Sequence, residues 1–302
     1  MHRVSKISVP IIVALFVASA CGGTGSGGAK PPITIGSTNF SEQLVLGEVY
    51  AQTLEANGYT VNRKFNLGNR EIVFPALQGG QIDMEADYLA TLLAFVDKTA
   101  QGSTDPKQTS ATLQKALDAK GLTVLDYAPA VDQNGFVVTK ATADKYKLAK
   151  LTDLASVAGQ LILGGPAECP NRPFCALGLK NTYGITFKEF KPLDAGGPLT
   201  VAALSGAQID VGLLFTTDST IAVKGFVLLE DDKHLQLSDN VAPVVRNDYL
   251  AKAGDDFKKL INSIAPKLTT AELTALNKQV DTDKKDPKDV AKEWLKKQGL
   301  IK

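Results

Sequence analysis

Ala76-Leu77-Gln78-Gly79-Gly80-Gln81-Ile82-Asp83 returns as Ala203-Leu204-Ser205-Gly206-Ala207-Gln208-Ile209-Asp210, six of eight residues identical at an offset of 127. Upstream, Ile33-Thr34-Ile35-Gly36 faces Leu161-Ile162-Leu163-Gly164 at an offset of 128. Two matches in the same order and near-equal register indicate a duplicated unit. The first copy shows its build. Ile33–Gly36 reads as a strand ending in a turn, and residues 41–57 as a helix capped by Ser41 or Asn39 and closed near Gly58. Residues 60–66 read as a second strand, 72–78 as a helix ending at Gly79-Gly80, and 81–84 as a third strand. This β-α-β-α-β order is the signal of a parallel sheet covered by helices. The chain is therefore expected to form two similar α/β lobes, the second starting near residue 140. After Ala242-Pro243-Val244-Val245 the sequence turns helical and charged, with Thr269 and Asp286-Pro287 opening the last helices and a lysine-rich face left to solvent.

Ligands of open α/β sheets bind outside the carboxyl ends of the strands, where turn amides and helix N-termini converge. This places candidate site residues just after Ile35, Met84, Leu163 and Leu213. Tyr88 and Phe215 are themselves 127 residues apart, which puts both at equivalent strand ends.

The ends and composition narrow the class. Arg3 and Lys6 precede an apolar run, Ile7 to Ala18, that has signal-peptide length and is too short for a permanent span. It closes on Ala18-Ser19-Ala20-Cys21, which is similar to a bacterial lipobox, although leucine is the usual residue where Ala18 stands. The competing reading is an ordinary cleaved signal with a nearby cysteine. Residues 1–20 are thus expected to be a lipoprotein signal peptide, Cys21 the lipidated residue and 21–32 a flexible Gly/Ser-rich tether. Loss of residues 1–20 would remove Arg3 and Lys6 and move the formal charge from +1 to −1. A near-neutral chain without a basic tract argues against nucleic acid. Cys169 and Cys175, six residues apart in a Pro-rich loop, read as a short disulfide. With only His2 and His234 as further soft ligands, no metal is expected, and no cofactor.

Five blocks carry a resemblance. They are residues 35–43, residues 67–83, Pro192 to Pro198, Leu228 to His234 and Ala242 to Val245. Together they resemble the osmoprotectant-type (glycine betaine, carnitine, choline) substrate-binding proteins of ABC importers, in order from about 33 to 300. The resemblance implies a bilobed periplasmic-binding-protein fold, two parallel-sheet α/β lobes joined by a two-strand hinge. Lobe 1 would comprise 33–138 plus 240–302 and lobe 2 139–239, with closure burying a small ligand between them. It implies a monomer, lipid-anchored on the extracytoplasmic face of the cell membrane, that hands its ligand to ABC permease subunits.

The family holds a quaternary ammonium among tyrosines, because a cation without N–H donors is best met by ring faces. Carried over residue by residue, the resemblance keeps Tyr88 and Thr91 in Tyr88-Leu89-Ala90-Thr91, where the family has Tyr-Thr-Gly-Thr. It gives Phe136 in Asn134-Gly135-Phe136 for the second tyrosine, Phe215 before Thr216-Thr217-Asp218 for the third, and Asp239 in place of the fourth. Thr38 stands where relatives often carry a carboxylate-binding lysine. Arg172 keeps the arginine of the second-lobe loop, and Asn39 and Gln43 open a helix facing the cleft. Competing readings are Phe136 as core beside Val137 and Val138, Asp239 as a turn aspartate, Arg172 paired with Glu168 or Glu189, and Asp194 as the anchor of the Gly196-Gly197 turn. The altered set shifts the expectation from zwitterions towards a choline-like cation. The alternative is a neutral hydroxylated or aromatic ligand. Catalysis is not expected, because His234 stands alone and no phosphate loop or reactive cysteine is in sight.

Overall fold

The computed structural model describes residue 2 and residues 30–302. The signal peptide, Cys21 and the tether up to residue 29 lie outside the described residues. Among the described residues, ten strands form two five-stranded sheets. The first holds β1 (Ile33–Gly36), β2 (Val61–Lys64), β3 (Met84–Tyr88), β4 (Leu122–Val124) and β10 (Val241–Arg246). The second holds β5 (Asn134–Val138), β6 (Ile162–Pro166), β7 (Glu189–Leu193), β8 (Val211–Phe215) and β9 (Val227–Leu228). Their orders, β2-β1-β3-β10-β4 and β7-β6-β8-β5-β9, correspond strand for strand across the repeat.

The repeated residues do the same work in each lobe. Asp83 accepts the Thr34 N–H at 2.8 Å, and Asp210 accepts the Ile162 N–H at 2.8 Å, so each aspartate ties the helix-to-strand turn to the first strand of its sheet. The N–H groups of Gln81 and Gln208 close the preceding helices on the carbonyls of Ala76 and Ala203, both at 2.8 Å. A short polar signature recurs because the same backbone groups need partners where each helix turns into its strand.

Neither sheet is wholly parallel, although the β-α-β-α-β order pointed to parallel sheets. β10 runs antiparallel to β3 and β4, and β5 antiparallel to β8 and β9. Each is the strand by which the chain arrives from the other lobe, so each enters from the cleft side and runs against its neighbours. β5 belongs to the second sheet, which moves the first crossing to 131–133 from the expected position after 138. There it pairs with the return segment through an antiparallel bridge between Val131 and Asn240.

The third strand also lies later than the sequence suggested, at 84–88, and carries Glu85 and Asp87 in its buried interior. Helix α1 (Ser41–Ala56) begins after Phe40, and no side chain caps it. It is buried along most of its length under the sheet and the closing helices Thr270–Asp281 and Pro287–Lys297. Thr269 and Asp286 cap those two as expected, by accepting the Glu272 and Lys288 N–H groups. In the last helix Val290, Ala291, Trp294 and Leu295 face inward while Lys288, Lys292, Lys296 and Lys297 are exposed. Burying each large apolar side chain there contributes about 1.5–3 kcal/mol. In lobe 2, Cys169 and Cys175 are joined by a disulfide, and both are buried in the core.

Candidate ligand-binding cleft

A cavity of about 1000 Å³ lies between the lobes. Lobe 1 contributes the turn after β1, the start of α2 (Arg70–Gln78), the end of β3 and α3 (Leu89–Val96). Lobe 2 contributes the end of β8 and the disulfide loop, and the two crossing segments supply Asp132 and Asp239. The strand ends singled out by the repeat therefore meet. Among the described residues no helix is long and apolar enough to cross a membrane, and no group of three His, Cys, Asp or Glu side chains is placed to hold a metal ion.

Nine of the ten expected ligand residues line this cavity: Thr38, Asn39, Gln43, Tyr88, Thr91, Asn134, Arg172, Phe215 and Asp239. Phe136 does not. It is 1 % exposed and packed in the second-lobe core. The reason is strand geometry. Asn134, at the mouth of β5, reaches the cavity, whereas Phe136 shares its face but sits two residues, roughly 7 Å, deeper under the lobe-2 helices.

Phe40 takes a place among the rings that the sequence did not suggest. Its centroid lies 4.9 Å from that of Phe215 and 6.3 Å from that of Tyr88, the latter pair stacked. Phe174 and Phe95 add rings from the loop and from α3. The Tyr88 hydroxyl donates to Glu42 Oε1 and accepts from Gln43 Nε2 at 3.1 Å, so its polar end is committed and its face is left for the cavity.

Behind the rings lies a carboxyl pair. Thr217 Oγ1 is 2.8 Å from both Glu42 Oε2 and Asp132 Oδ1, and Asn277 Nδ2 donates to it at 3.0 Å. One hydroxyl hydrogen serves only one carboxylate, so the cluster closes when the other carboxyl keeps its proton. Burial pushes both carboxyls up from their usual range, and Glu42 adds to the rise at Asp132.

The charged side of the cleft is paired within itself. Arg70 Nε donates to Asp87 Oδ2 at 2.9 Å, Arg70 Nη2 donates to the other oxygen, and Nη2 also reaches Thr91 Oγ1 at 3.0 Å. Arg172 crosses the cleft to Glu71, with Nη2 2.8 Å from its carboxylate, and lies 5.4 Å from the Phe95 ring centroid. Neither Glu168 nor Glu189 is its partner here. Asp194 accepts the N–H groups of Leu199 and Thr200 at 2.9 Å, which caps the helix Pro198–Ser205 and places it outside the cavity lining.

Asp239 is no solvated turn residue. It is 1 % exposed and accepts the Thr91 N–H at 2.8 Å. Burial pushes its carboxyl up to about 7, with Asp87 adding to the rise and Thr91 and Arg70 opposing it. Between the unfolded value of 3.8 and about 7 the folded chain holds a proton that the unfolded chain has released. Raising pH through that window therefore favours unfolding, by about 1.4 kcal/mol per pH unit for one such group. Glu55 is held below its usual range by its hydrogen bonds to Arg63 and so acts in the opposite sense, at lower pH. The melting temperature of the ligand-free protein is expected to fall from pH 5 to pH 8, and Asp239→Asn to flatten that slope. A melting temperature rising across this interval would contradict it.

Residues 31–297 match the family described as the substrate binding domain of ABC-type glycine betaine transport systems. The chain belongs to this family. It is similar to the carnitine transport binding protein OpuCC of Listeria monocytogenes, at 27% identity over 99% of this chain and 97% of that protein. It is 26% identical to the glycine betaine-binding protein YehZ of Escherichia coli, over 91% of this chain and 93% of that one. A crystal structure described as a glycine betaine/carnitine/choline ABC transporter covers 89% of this chain and 100% of its own, at 29% identity and a TM-score of 0.70. Membership of the glycine betaine-type family makes the chain a substrate-binding protein of an ABC importer, with the bilobed fold of its relatives, and not an enzyme.

The sequence missed Phe40, Glu42, Arg70, Asp87 and Asp132. Phe40, Glu42 and Arg70 lie inside the family-like blocks and were within reach. Asp132 lies in the crossing segment, outside the repeat, where neither signal operates.

Proposed function

We propose that this chain is a lipid-anchored, monomeric, extracytoplasmic binding protein that captures a quaternary-ammonium solute of the choline kind in its interlobe cleft and delivers it to ABC permease subunits. One observation carries the reading of the ligand. The rings of Tyr88, Phe40 and Phe215 stand together at the cavity, backed by the buried carboxyls Glu42 and Asp132, which no cation partners among the described residues. Ring faces attract a cation by about 0.5–2 kcal/mol each, and a positive ligand head supplies the charge that the pair lacks. A ligand carboxylate is met less well. Thr38 replaces the lysine, and Arg70 and Arg172 are engaged by Asp87 and Glu71. The lipid anchor rests on the lipobox-like Ala18-Ser19-Ala20-Cys21 alone.

A neutral hydroxylated or aromatic ligand is the second reading. A cavity of about 1000 Å³ is roomy for choline, and the cage has lost Phe136 to the core. A thermal-shift screen of the mature protein against choline, glycine betaine, carnitine, sugars and phenolic compounds separates the two. A ligand at a hundred times its Kd adds about 2.7 kcal/mol of stability. Stabilisation by choline above glycine betaine is expected. A response to neutral compounds alone would transfer the assignment to the second reading.

A further inference from the structure

Asp132 presents an unpaired acceptor to the cavity. The Thr217 N–H donates to Asp132 Oδ1 at 3.1 Å, and the Thr217 hydroxyl, placed equally near Glu42 Oε2, lies 2.8 Å from that same Asp132 oxygen. Among the described residues no hydrogen bond reaches Oδ2, and Asp132 lines the cavity beside the rings while only 4 % exposed. Two other atoms of the lining also lack partners among the described residues. Gln43 Oε1 and Thr38 Oγ1 are buried without any hydrogen-bond partner. A trimethylammonium group has no hydrogen to offer, so it cannot satisfy any of the three.

We propose that Asp132 is a specificity-determining residue that reads a hydroxyl group on the ligand: the ligand's O–H donates to Asp132 Oδ2 while its cationic head rests on the Tyr88–Phe40–Phe215 rings. The proposal rests on the quaternary-ammonium reading above and deepens it, because it selects hydroxylated cations over both zwitterions and simple alkylammoniums. A positive head beside Asp132 favours the carboxylate form, in which Oδ2 is an acceptor. A ligand that lacks the donor leaves a buried acceptor unpaired, and sites built around such groups discriminate strongly against it.

The same geometry fixes what the conservative variant does. In Asp132→Asn the Thr217 N–H still needs an acceptor, so the amide oxygen takes the place of Oδ1 and the amide NH2 faces the cavity. The site then offers a donor where it had an acceptor. The test compares choline with its methyl ether, (2-methoxyethyl)trimethylammonium, which has the same charge and head and no hydroxyl hydrogen. Both are titrated by calorimetry into the mature protein and into Asp132→Asn. The native protein is expected to bind choline at least about tenfold more tightly than the ether. The variant is expected to lose or invert that preference while keeping a cooperative melting transition. Equal affinity for choline and ether, or a preference unchanged in Asp132→Asn, would overturn the proposal and leave the quaternary-ammonium reading standing. Silence from both compounds would overturn the two together.

Discussion

Arg70→Met is expected to lower the stability of the protein by about 3–5 kcal/mol, more than any other single change at the cleft. The Arg70 side chain is 13% exposed and that of Asp87 4%, so the pair lies largely out of water and makes two parallel hydrogen bonds. Asp87 is not the only group that depends on it. Arg70 opposes the upward push of burial at both Asp239 and Glu85, and it ties α2 to α3 through Thr91 Oγ1. Methionine keeps the length of the side chain and removes the charge. The result is a buried carboxylate with no counter-charge, two acidic neighbours and its own backbone tie to the Tyr88 N–H at 2.7 Å. Chemical denaturation read at the midpoint checks this, and the deficit should grow with pH, because Arg70 no longer opposes the rise at Asp239 and Glu85. The double variant Arg70→Met/Asp87→Leu should regain much of the loss, because removing both partners of a buried pair costs far less than removing one. A single-variant loss below about 1 kcal/mol would show that the pair is solvated in solution.

That strand also explains where the sequence misleads. Met84-Glu85-Ala86-Asp87-Tyr88 has two acidic residues in five and reads poorly as a central strand, so the local pattern points to an earlier one, at 81–84. It is central all the same, with β1 on one side and β10 on the other. The charges are tolerated by tertiary means that no local pattern displays. Arg70 comes from the preceding helix to meet Asp87, and burial holds the Glu85 carboxyl well above its usual range. The duplicated Asp83 and Asp210, by contrast, are legible because their partners are backbone groups of the same motif, copied with it.

The cleft divides along the same line. Tyr88 and Phe215 are readable because the repeat places both at strand ends, a position defined within each unit. Phe136 misleads because strand alternation gives the face of a residue and not its depth, and Asn134 alone reaches the mouth. Arg172 lines the cavity, but its partner Glu71 lies in the other lobe, 101 residues away in sequence, a pairing that exists only across the cleft. The Glu42–Thr217–Asp132 cluster draws on a helix, a strand end and a crossing segment. Its members are individually ordinary polar residues, and only the closure of two lobes makes them one group.

Gly178→Ala is expected to destabilise lobe 2 by about 3 kcal/mol or more, through overpacking against backbone. A Cβ at this position would lie 1.8 Å from the Pro173 carbonyl oxygen, 2.9 Å from its carbon and 2.8 Å from Leu235 Cδ1. A flexible side chain could swing aside, but a main-chain carbonyl cannot. Pro173 also sits inside the loop closed by the Cys169–Cys175 disulfide, which leaves the segment little freedom to retreat. The loop in turn serves the cleft. The Phe174 carbonyl accepts from Asn134 Nδ2 at 3.0 Å and from Gln236 Nε2 at 2.9 Å, and Arg172 spans the cleft to Glu71. Displacement at Gly178 therefore moves both the wall of the cavity and the cross-cleft ion pair, and the variant should bind the ligand of the native protein more weakly as well as melt earlier. Gly159→Ala is the matched control, since that glycine has ordinary backbone angles and a methyl group added there would meet nothing within 4 Å. It should change stability by less than about 0.5 kcal/mol. Equal melting temperatures for the two variants would mean that the Cys169–Cys175 loop yields freely, and Arg172 would then be held by the cleft and not by its own loop.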